Sequence, residues 1–166
     1  MILERKQSAC ELVAMEAQCL DEQRWNDWLD LYSEDAIFWV PAWKNETELT
    51  DDPQTQLSFI YLQGRQFLDE RIRRATSGNS VAAMPIPRTT HLVTGSVATS
   101  SDDGMTVLVK SSWCSHIYQH KEVSSVCYSG RYEHLLQLEG NEYRIRQKKI
   151  VIANDYLTSK LDVFYI

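Results

Sequence analysis

The order of its elements predicts that this chain has an α+β fold. Two amphipathic helical patterns come first, and a short aromatic strand follows them. One more helix then precedes a run of long alternating strands. Helices and strands that are separated along a chain are typical of α+β proteins, in which the helices pack on one side of a sheet. We therefore expect a strongly bent, cone-shaped antiparallel sheet with the N-terminal helices on its concave side.

Length and composition favour one globular domain over residues 1–166. Hydrophobic residues make up 43% of the chain and charged residues 24%, which are ordinary fractions for a domain with a packed core. The net charge of -6 argues against nucleic acid and anionic membranes as partners. The sequence shows neither an apolar run that could span a bilayer nor a signal-peptide core, so a cytoplasmic location is expected.

The N-terminal region carries two helical patterns. Over residues 3–20, apolar side chains recur every three or four positions, which predicts an amphipathic helix. The second stripe is largely aromatic and places four residues at i, i+3, i+4 and i+7: Trp25, Trp28, Leu29 and Tyr32. Two tryptophans on one stripe indicate core packing more often than ligand binding.

The aromatic strand is predicted at residues 37–43 and contains a proline. Because Pro41 has no N–H to donate, the strand should lie at a sheet edge or bend at that residue. Residues 44–56 have no periodicity and are predicted to form a surface loop. The apolar run at residues 57–62 fits either a strand or a helix.

A third helix is predicted at residues 64–75, and Ser77-Gly78-Asn79 should end it. Its apolar face would carry Phe67, Leu68, Arg71, Ile72 and Ala75. Since Arg71 lies on this apolar face, it is predicted to form a buried or interfacial ion pair.

Four long alternating patterns follow, at residues 90–100, 106–121, 123–139 and 143–152. In the first of them His91, Val93 and Val97 should point inward. The last changes from alternation to a continuous apolar run at residues 150–152, which predicts a bulge or burial on both faces. The apolar segment 157–166 should be docked, either in the sheet or against a partner.

The cysteines raise the question of a metal centre. The four of them are too few and too scattered for a disulfide framework, so reduced thiols are expected. Cys114 and His116 match the first half of a Rieske iron–sulfur site, which uses two cysteines and two histidines. Cys127 follows at a suitable interval, but Gly130 stands where the second histidine is required, so we reject this site. His116 and His120 share a strand face, but at about 13 Å they are too far apart for one metal ion.

His91 is the candidate for acid–base chemistry. If it points into a cone-shaped cavity, it could act with Tyr32, Asp30 or Asp35. A hydrogen-bonded buried histidine near the end of the sheet is the other interpretation. The residues alone do not define a complete active site.

Six segments, in order over nearly the whole chain, resemble the small (β) subunit of aromatic-ring-hydroxylating dioxygenases, in particular the benzoate, anthranilate and salicylate type. These segments are Phe38-Trp39-Val40-Pro41-Ala42-Trp43, Leu49-Thr50-Asp51-Asp52-Pro53-Gln54, Ser58-Phe59-Ile60-Tyr61, Leu68-Asp69-Glu70-Arg71-Ile72, Pro87-Arg88-Thr89-Thr90-His91 and Asn154-Asp155-Tyr156.

The resemblance implies a fold of the nuclear-transport-factor-2-like, or cystatin-like, type and a non-catalytic structural role in a terminal oxygenase. It implies a β trimer that carries three large α subunits as an α3β3 hexamer. The α subunit would hold a Rieske 2Fe–2S cluster and a mononuclear non-haem iron, and electrons would come from NADH through a separate reductase. The chain itself would hold no cofactor and no metal.

On this resemblance, the polar face of residues 106–121, the loop 44–56 and the tail 161–166 are candidate interfaces. The candidate interface residues are Trp43, Arg71, His116, Tyr118, His120, Phe164 and Tyr165.

The alternative function is a free-standing dehydratase or isomerase of the same fold that uses His91 with Tyr32 or Asp35. The interior of the cone separates the two functions. An open apolar pocket with convergent polar groups would favour the enzyme. A cone that is plugged by aromatic residues would favour the structural subunit, and the predicted plug is Trp25, Trp28, Trp39 and Phe59.

Overall fold

The computed structural model describes residues 2–78, 84–158 and 160–166, and places helices on one side of a six-stranded sheet. The helices are α1 (Ile2–Asp21), α2 (Trp25–Asp30) and α3 (Arg65–Thr76). The strands are β1 (Tyr32–Pro41), β2 (Ser58–Gln63), β3 (Arg88–Ser100), β4 (Thr106–Gln119), β5 (Ser124–Glu139) and β6 (Glu142–Ile152). A short 3-10 helix, Val163–Tyr165, follows them. None of the helices in this part of the chain is long and apolar enough to cross a membrane.

The sheet has the strand order β2-β1-β6-β5-β4-β3 and curls around the helices, which confirms the α+β class and the bent sheet. Helix α1 lies against β3 and β4, whereas α3 lies against β1. The sheet is mixed rather than wholly antiparallel, because β1 runs parallel to β6 while every other neighbouring pair is antiparallel.

The aromatic strand begins earlier than the sequence pattern predicts. Helix α2 ends at Asp30, so Tyr32 opens β1 and is not part of a helix. Strand β1 lies between β2 and β6, so the predicted edge position is wrong. The predicted bend is confirmed, because the register with β2 shifts between Val40 and Pro41. The ambiguous run that follows the loop is strand β2.

Helix α3 buries a narrower face than predicted. Leu68, Ile72 and Ala75 are buried, but Phe67 is 44% exposed, so its place in the apolar face is wrong. The helix ends at Thr76, and the next residue, Ser77, donates its N–H to the Arg73 carbonyl. Asn79, the last residue of the predicted stop signal, lies outside the described residues.

A bulge in β3 reverses the direction of its outer half. Between Thr94 and Val97 the strand uses one residue more than its partner β4 does, since these residues pair with Ser112 and Lys110. Side chains alternate with a period of two, so one extra residue exchanges the faces. Val97 is therefore 65% exposed rather than inward, while Ala98 packs against the core.

A second bulge turns a lysine into the core. Leu135 pairs with Gln147, but the next residue, Leu136, pairs with Ile145, so Arg146 is the extra residue of β6. Beyond it Lys148 points inward and is fully buried. The following residues 150–152 are all buried, which confirms the predicted burial on both faces.

The tail docks on the chain's own core. Val163 and Ile166 are fully buried, Phe164 is 3% exposed, and the Phe164 ring lies 6.0 Å from that of Trp25. The tail is docked as predicted, but it packs on the core as a 3-10 helix and does not join the sheet. Phe164 is therefore not a surface residue, and its assignment as an interface residue is wrong.

Candidate functional site

The centre of the cone is occupied by one buried carboxylate and its donors. Glu16 of α1 is 1% exposed. Its Oε1 accepts hydrogen bonds from the Tyr32 hydroxyl at 2.5 Å, the Lys148 ammonium at 2.8 Å and the Trp28 indole N–H at 3.1 Å. Its Oε2 lies 3.3 Å from Nε2 of His134. Four donors from α2, β1, β5 and β6 thus converge on a single side chain of α1.

Lys148 supplies the charge that balances Glu16. Its Nζ also donates to the main-chain oxygen of Ile166 at 3.3 Å, which ties the tail to the cluster. The ammonium lies 4.4 Å from the ring centroid of Tyr132 and 5.6 Å from that of Phe38. A buried charge is stable only when it is paired and hydrogen-bonded, and these contacts meet that requirement.

The environment fixes the charge state of the cluster. Burial raises the pKa of Glu16, but the charge of Lys148 and the hydrogen bond from His134 more than offset it, so the pKa lies well below its usual value. Burial lowers the pKa of His134, although Glu16 opposes the shift. Burial likewise lowers the pKa of Lys148, again against the effect of Glu16. We assign the cluster as an ionised Glu16–Lys148 pair beside a neutral His134.

The tautomer of His134 follows from this assignment. An ionised carboxylate has no hydrogen to donate, so Nε2 carries the ring proton and donates it to Glu16. The Nδ1 atom is then an acceptor, and it is buried without a hydrogen-bond partner among the described residues. The His134 ring meets the Tyr132 ring edge-on at 5.3 Å, and Tyr132 stacks on Trp113 at 5.0 Å.

Among the titratable members of this cluster, the sequence predictions include Tyr32 but none of Glu16, His134 and Lys148, although two of these three carry a signal. Glu16 falls on the apolar stripe of α1, three residues after Val13. His134 continues the inward alternation that Tyr132 and Leu136 define on β5. Lys148 carries no such signal, because it points inward only as a result of the bulge in β6.

The cone is filled, but not by the predicted plug. Trp28 is fully buried as predicted, and Tyr32, Phe38 and Tyr132 fill the space beside it. Trp39 lies on the other face of the sheet, where the Lys149 ammonium covers its ring at 4.9 Å. The two remaining predicted members, Trp25 and Phe59, are partly exposed. Since Glu16, His134 and Lys148 are at most 1% exposed, a substrate cannot reach these groups.

His91 does not join the residues with which it was predicted to act. Its ring Nδ1 lies 2.6 Å from Oδ1 of Asp21, at the end of α1. The main-chain N–H of His91 donates to Oδ2 of the same carboxylate. Thr89 donates to Oδ1 as well. Burial raises the pKa of Asp21, but the hydrogen bonds from His91 and Thr89 outweigh it and lower the pKa overall. The His91 side chain is fully buried, and its Nε2 has no hydrogen-bond partner among the described residues. Its contacts with Asp21 fasten α1 to β3.

The other members of the predicted acid–base group lie elsewhere. The Tyr32 hydroxyl is bound to Glu16, and Asp35 pairs with Arg146 at 3.0 Å. Tyr32, Asp30 and Asp35 border one depression, whereas His91 borders another, between α1 and β3. The catalytic group of the alternative function is therefore wrong, because β1 carries Tyr32 and Asp35 on the opposite side of the sheet order from β3.

On the outer face of the sheet, three metal-ligand side chains come together. The Sγ atom of Cys114 lies 3.4 Å from Sγ of Cys127 and 3.6 Å from Nε2 of His116. The Rieske site that was rejected from the sequence used the same three residues and required a fourth ligand where Gly130 stands. His120 is not part of the group; its ring lies 5.4 Å from that of Tyr118.

The remaining candidate interface residues differ in exposure. Trp43 is half-buried, donates its indole N–H to the Ile152 carbonyl at 2.8 Å and borders a depression of about 390 Å³ beside Arg131. Arg71 lies 3.9 Å from Asp162 and has a 35% exposed side chain, so its predicted ion pair joins α3 to the tail. Tyr165 is half-buried, and burial raises its pKa to about 12.

Fold and core together define a small α+β protein of the nuclear-transport-factor-2-like class whose cone is filled. A family model described as "Ring hydroxylating beta subunit" matches residues 15–159. The chain is 34% identical over 151 residues to the benzoate 1,2-dioxygenase subunit beta of Acinetobacter baylyi, covering 91% of this chain and 88% of that one. It is 30% identical to the anthranilate 1,2-dioxygenase small subunit of the same species over the whole of both chains.

A crystal structure agrees with these relationships. The beta subunit of the benzoate 1,2-dioxygenase from Burkholderia mallei superimposes with a TM-score of 0.76 at 30% identity, covering 95% of each chain. The chain belongs to the family of ring-hydroxylating beta subunits.

Proposed function

We propose that this chain is the non-catalytic structural β subunit of a terminal oxygenase that hydroxylates an aromatic acid of the benzoate, anthranilate or salicylate type. The observation that carries the proposal is the filled cone. In a chain with this family membership, the inward positions that could line an active site instead hold a buried ion pair, and Trp28 and Tyr32 also donate hydrogen bonds to its carboxylate. The charged and titratable groups Glu16, His134 and Lys148 are therefore out of reach of a substrate.

The proposed assembly has the composition α3β3 and takes part in aromatic catabolism. The large α subunit would carry the Rieske 2Fe–2S cluster and the mononuclear non-haem iron, with NADH as electron source through a separate reductase. Residues 1–166 would act as one domain that holds the α subunits in register, so that the Rieske centre of one faces the iron of its neighbour. The cytoplasm is the proposed location.

The outer face of β3 and β4 is the proposed self-association surface. It turns away from the helices and exposes apolar side chains, with Leu92 54% and Tyr118 37% exposed. Exposed apolar side chains on a sheet face are a feature of interaction sites, and here the pair Thr90 and His116 lies between Leu92 and Tyr118. His116 and His120 lie beside Tyr118. The surfaces proposed for the α subunit are the loop beside Trp43 and the region where Arg71 of α3 meets the tail that carries Tyr165.

The test begins with the full chain purified alone. Light scattering should give three chain masses, and the sample should contain no iron and no Rieske absorbance. Co-expression with a candidate α subunit should then give a red complex that turns over an aromatic acid. A red, iron-containing chain would contradict the proposal, and so would an α subunit that is fully active without this chain.

A further inference from the structure

The outer sheet face holds a cluster of metal-ligand side chains to which the proposed function assigns no chemistry. Cys114, His116 and Cys127 present two thiols and one imidazole, and all three ligand atoms lie within 4.8 Å of one another. His116 and Cys127 are exposed and Cys114 is half-buried, so an ion can reach them from solvent. Thiolate sulfur and imidazole nitrogen are ligands that Zn²⁺ prefers in proteins, and the two cysteines release their protons to solvent when the ion binds.

Strand geometry produces the cluster. Cys114 and His116 are two residues apart on β4 and therefore share a face. His116 pairs directly with Cys127 on β5, and Cys114 pairs with Ser129, so the two cysteines are diagonal neighbours. The three side chains thus converge from two strands whose spacing the sheet hydrogen bonds hold fixed.

The distances fit a tetrahedral ion. With Zn–S bonds of about 2.3 Å and a Zn–N bond of about 2.0 Å, two sulfurs on one ion lie roughly 3.8 Å apart and a sulfur and a nitrogen roughly 3.5 Å apart. The corresponding separations here are 3.4 Å between the two Sγ atoms and 3.6 Å between Cys114 Sγ and His116 Nε2. The third pair, Cys127 Sγ and a ring nitrogen of His116, lies within 4.8 Å, so binding of one ion requires side-chain rotations that bring these two atoms to roughly 3.5 Å.

A disulfide fits the same pair less well. Diagonal neighbours in antiparallel strands are about 7–8 Å apart, whereas the Cα atoms of a disulfide are usually about 4.4–6.8 Å apart. An ion placed between the sulfurs spans the larger separation without moving the strands. The pairing of Cys114 with Ser129 therefore favours a bridging ion over a covalent bond.

We propose that Cys114, His116 and Cys127 form a zinc site with an open fourth position. Structural zinc sites use four protein ligands, whereas three ligands leave one position for water or an incoming group. In the chain alone, water fills that position. The site is independent of the proposed oxygenase function, and it lies on the same outer face as Tyr118.

The test uses the full chain with a phosphine reductant and Co²⁺ as the probe. Titration should give sulfur-to-cobalt charge-transfer absorption and intense visible bands of tetrahedral cobalt, saturating at one equivalent per chain. Added Zn²⁺ should abolish both. Cys114→Ser, Cys127→Ser and His116→Gln should each weaken binding at least about ten-fold.

Matched controls are available in the chain. Cys10→Ser removes a half-buried thiol on α1, and His120→Gln removes a neighbouring imidazole outside the cluster; both should bind cobalt as the unmodified chain does. The absence of a thiolate–cobalt band at one equivalent would overturn the site, and so would unchanged binding in the three ligand variants. Chain mass measured on the same samples keeps a failure of assembly separate from a failure of metal binding.

Discussion

At the scale of single residues, the Glu16–Lys148 pair determines whether the core is stable. Replacing Lys148 by methionine keeps much of the volume but leaves the Glu16 carboxylate buried without its cation. Removing one partner of a buried ion pair lowers the free energy of unfolding by about 3–5 kcal/mol, whereas removing both charges lowers it far less. We therefore expect Lys148→Met to lower the free energy of unfolding in urea by about that amount, and Glu16→Gln with Lys148→Met to recover most of it.

The adjacent lysine is the control. Lys149 lies over Trp39 on the outer face, and Lys149→Met should cost about 0.5–1 kcal/mol, the usual size of an exposed cation–π contact. Two outcomes would show that the Glu16–Lys148 pair does not control stability. One is an equal loss of unfolding free energy in Lys148→Met and Lys149→Met. The other is a double variant, Glu16→Gln with Lys148→Met, that is as unstable as Lys148→Met alone.

His134 should make stability depend on pH in the weakly acidic range. Burial lowers its pKa from the ordinary 6.5. The unfolded chain therefore takes up a proton as the pH falls through about 6.5 while the folded chain does not, so acid favours unfolding there. We expect the free energy of unfolding to fall by up to about 1.4 kcal/mol per pH unit below that point.

The contribution of His134 can be isolated by substitution. His134→Gln keeps a donor for Glu16 and should remove this part of the pH dependence, whereas His120→Gln, outside the core, should retain it. Urea unfolding at several pH values between 7 and 5 provides the measurement. A profile for His134→Gln that matches the unmodified chain would refute the assignment of a neutral, buried imidazole.

At the scale of elements, a close approach between β5 and β6 explains a glycine. Gly130 pairs with Ile152, and a Cβ added at Gly130 would overlap the carbonyl oxygen of Val151. Shifting the backbone of a central strand to make room for a Cβ atom would cost considerable free energy. Gly130→Ala should therefore lower the free energy of unfolding by at least about 2 kcal/mol. Ser125→Ala, at an exposed site on the same strand, should change the free energy of unfolding by no more than about 0.5 kcal/mol. Equal losses for Gly130→Ala and Ser125→Ala would show that β5 and β6 are not in close contact at Gly130.

The bulges mark the limit of prediction for individual strands. Alternation placed the buried residues of β4 correctly, because that strand is regular from Thr106 to Gln119. It failed for Val97 and gave no signal for Lys148, since one extra residue reverses the face of everything beyond it. A bulge depends on how the strand pairs with its partner strand, so the periodicity of one strand does not fix the position of the extra residue.

At the scale of the whole molecule, the outer face should decide the oligomeric state. Tyr118→Asp places a charge where the proposed trimer buries an aromatic ring, so light scattering should find one chain mass instead of three. Leu3→Asp adds the same charge at a 79% exposed position on α1 and should leave three chain masses. A trimer that survives Tyr118→Asp would move the self-association surface elsewhere.

Fold class and family could be predicted because both rest on patterns distributed along the chain. The order of helices and strands and the six family segments were sufficient for them. The interior of the cone could not be predicted in the same way. The packing inside the cone depends on which of the many inward-pointing side chains come into contact. Glu16 contacts His134 and Lys148, although more than a hundred residues separate it from each of them along the chain.

The parallel contact between β1 and β6 has a consequence for the order of folding. Phe38 pairs with Lys148, 110 positions further along the chain (148 − 38), and Glu16 reaches the same lysine across 132 positions. Such distant contacts carry a high entropy of loop closure, whereas the hairpins β3–β4, β4–β5 and β5–β6 join neighbours in sequence. The hairpins should therefore form first, and the ion pair should form after the folding barrier has been crossed. Its loss would then accelerate unfolding far more than it slows refolding.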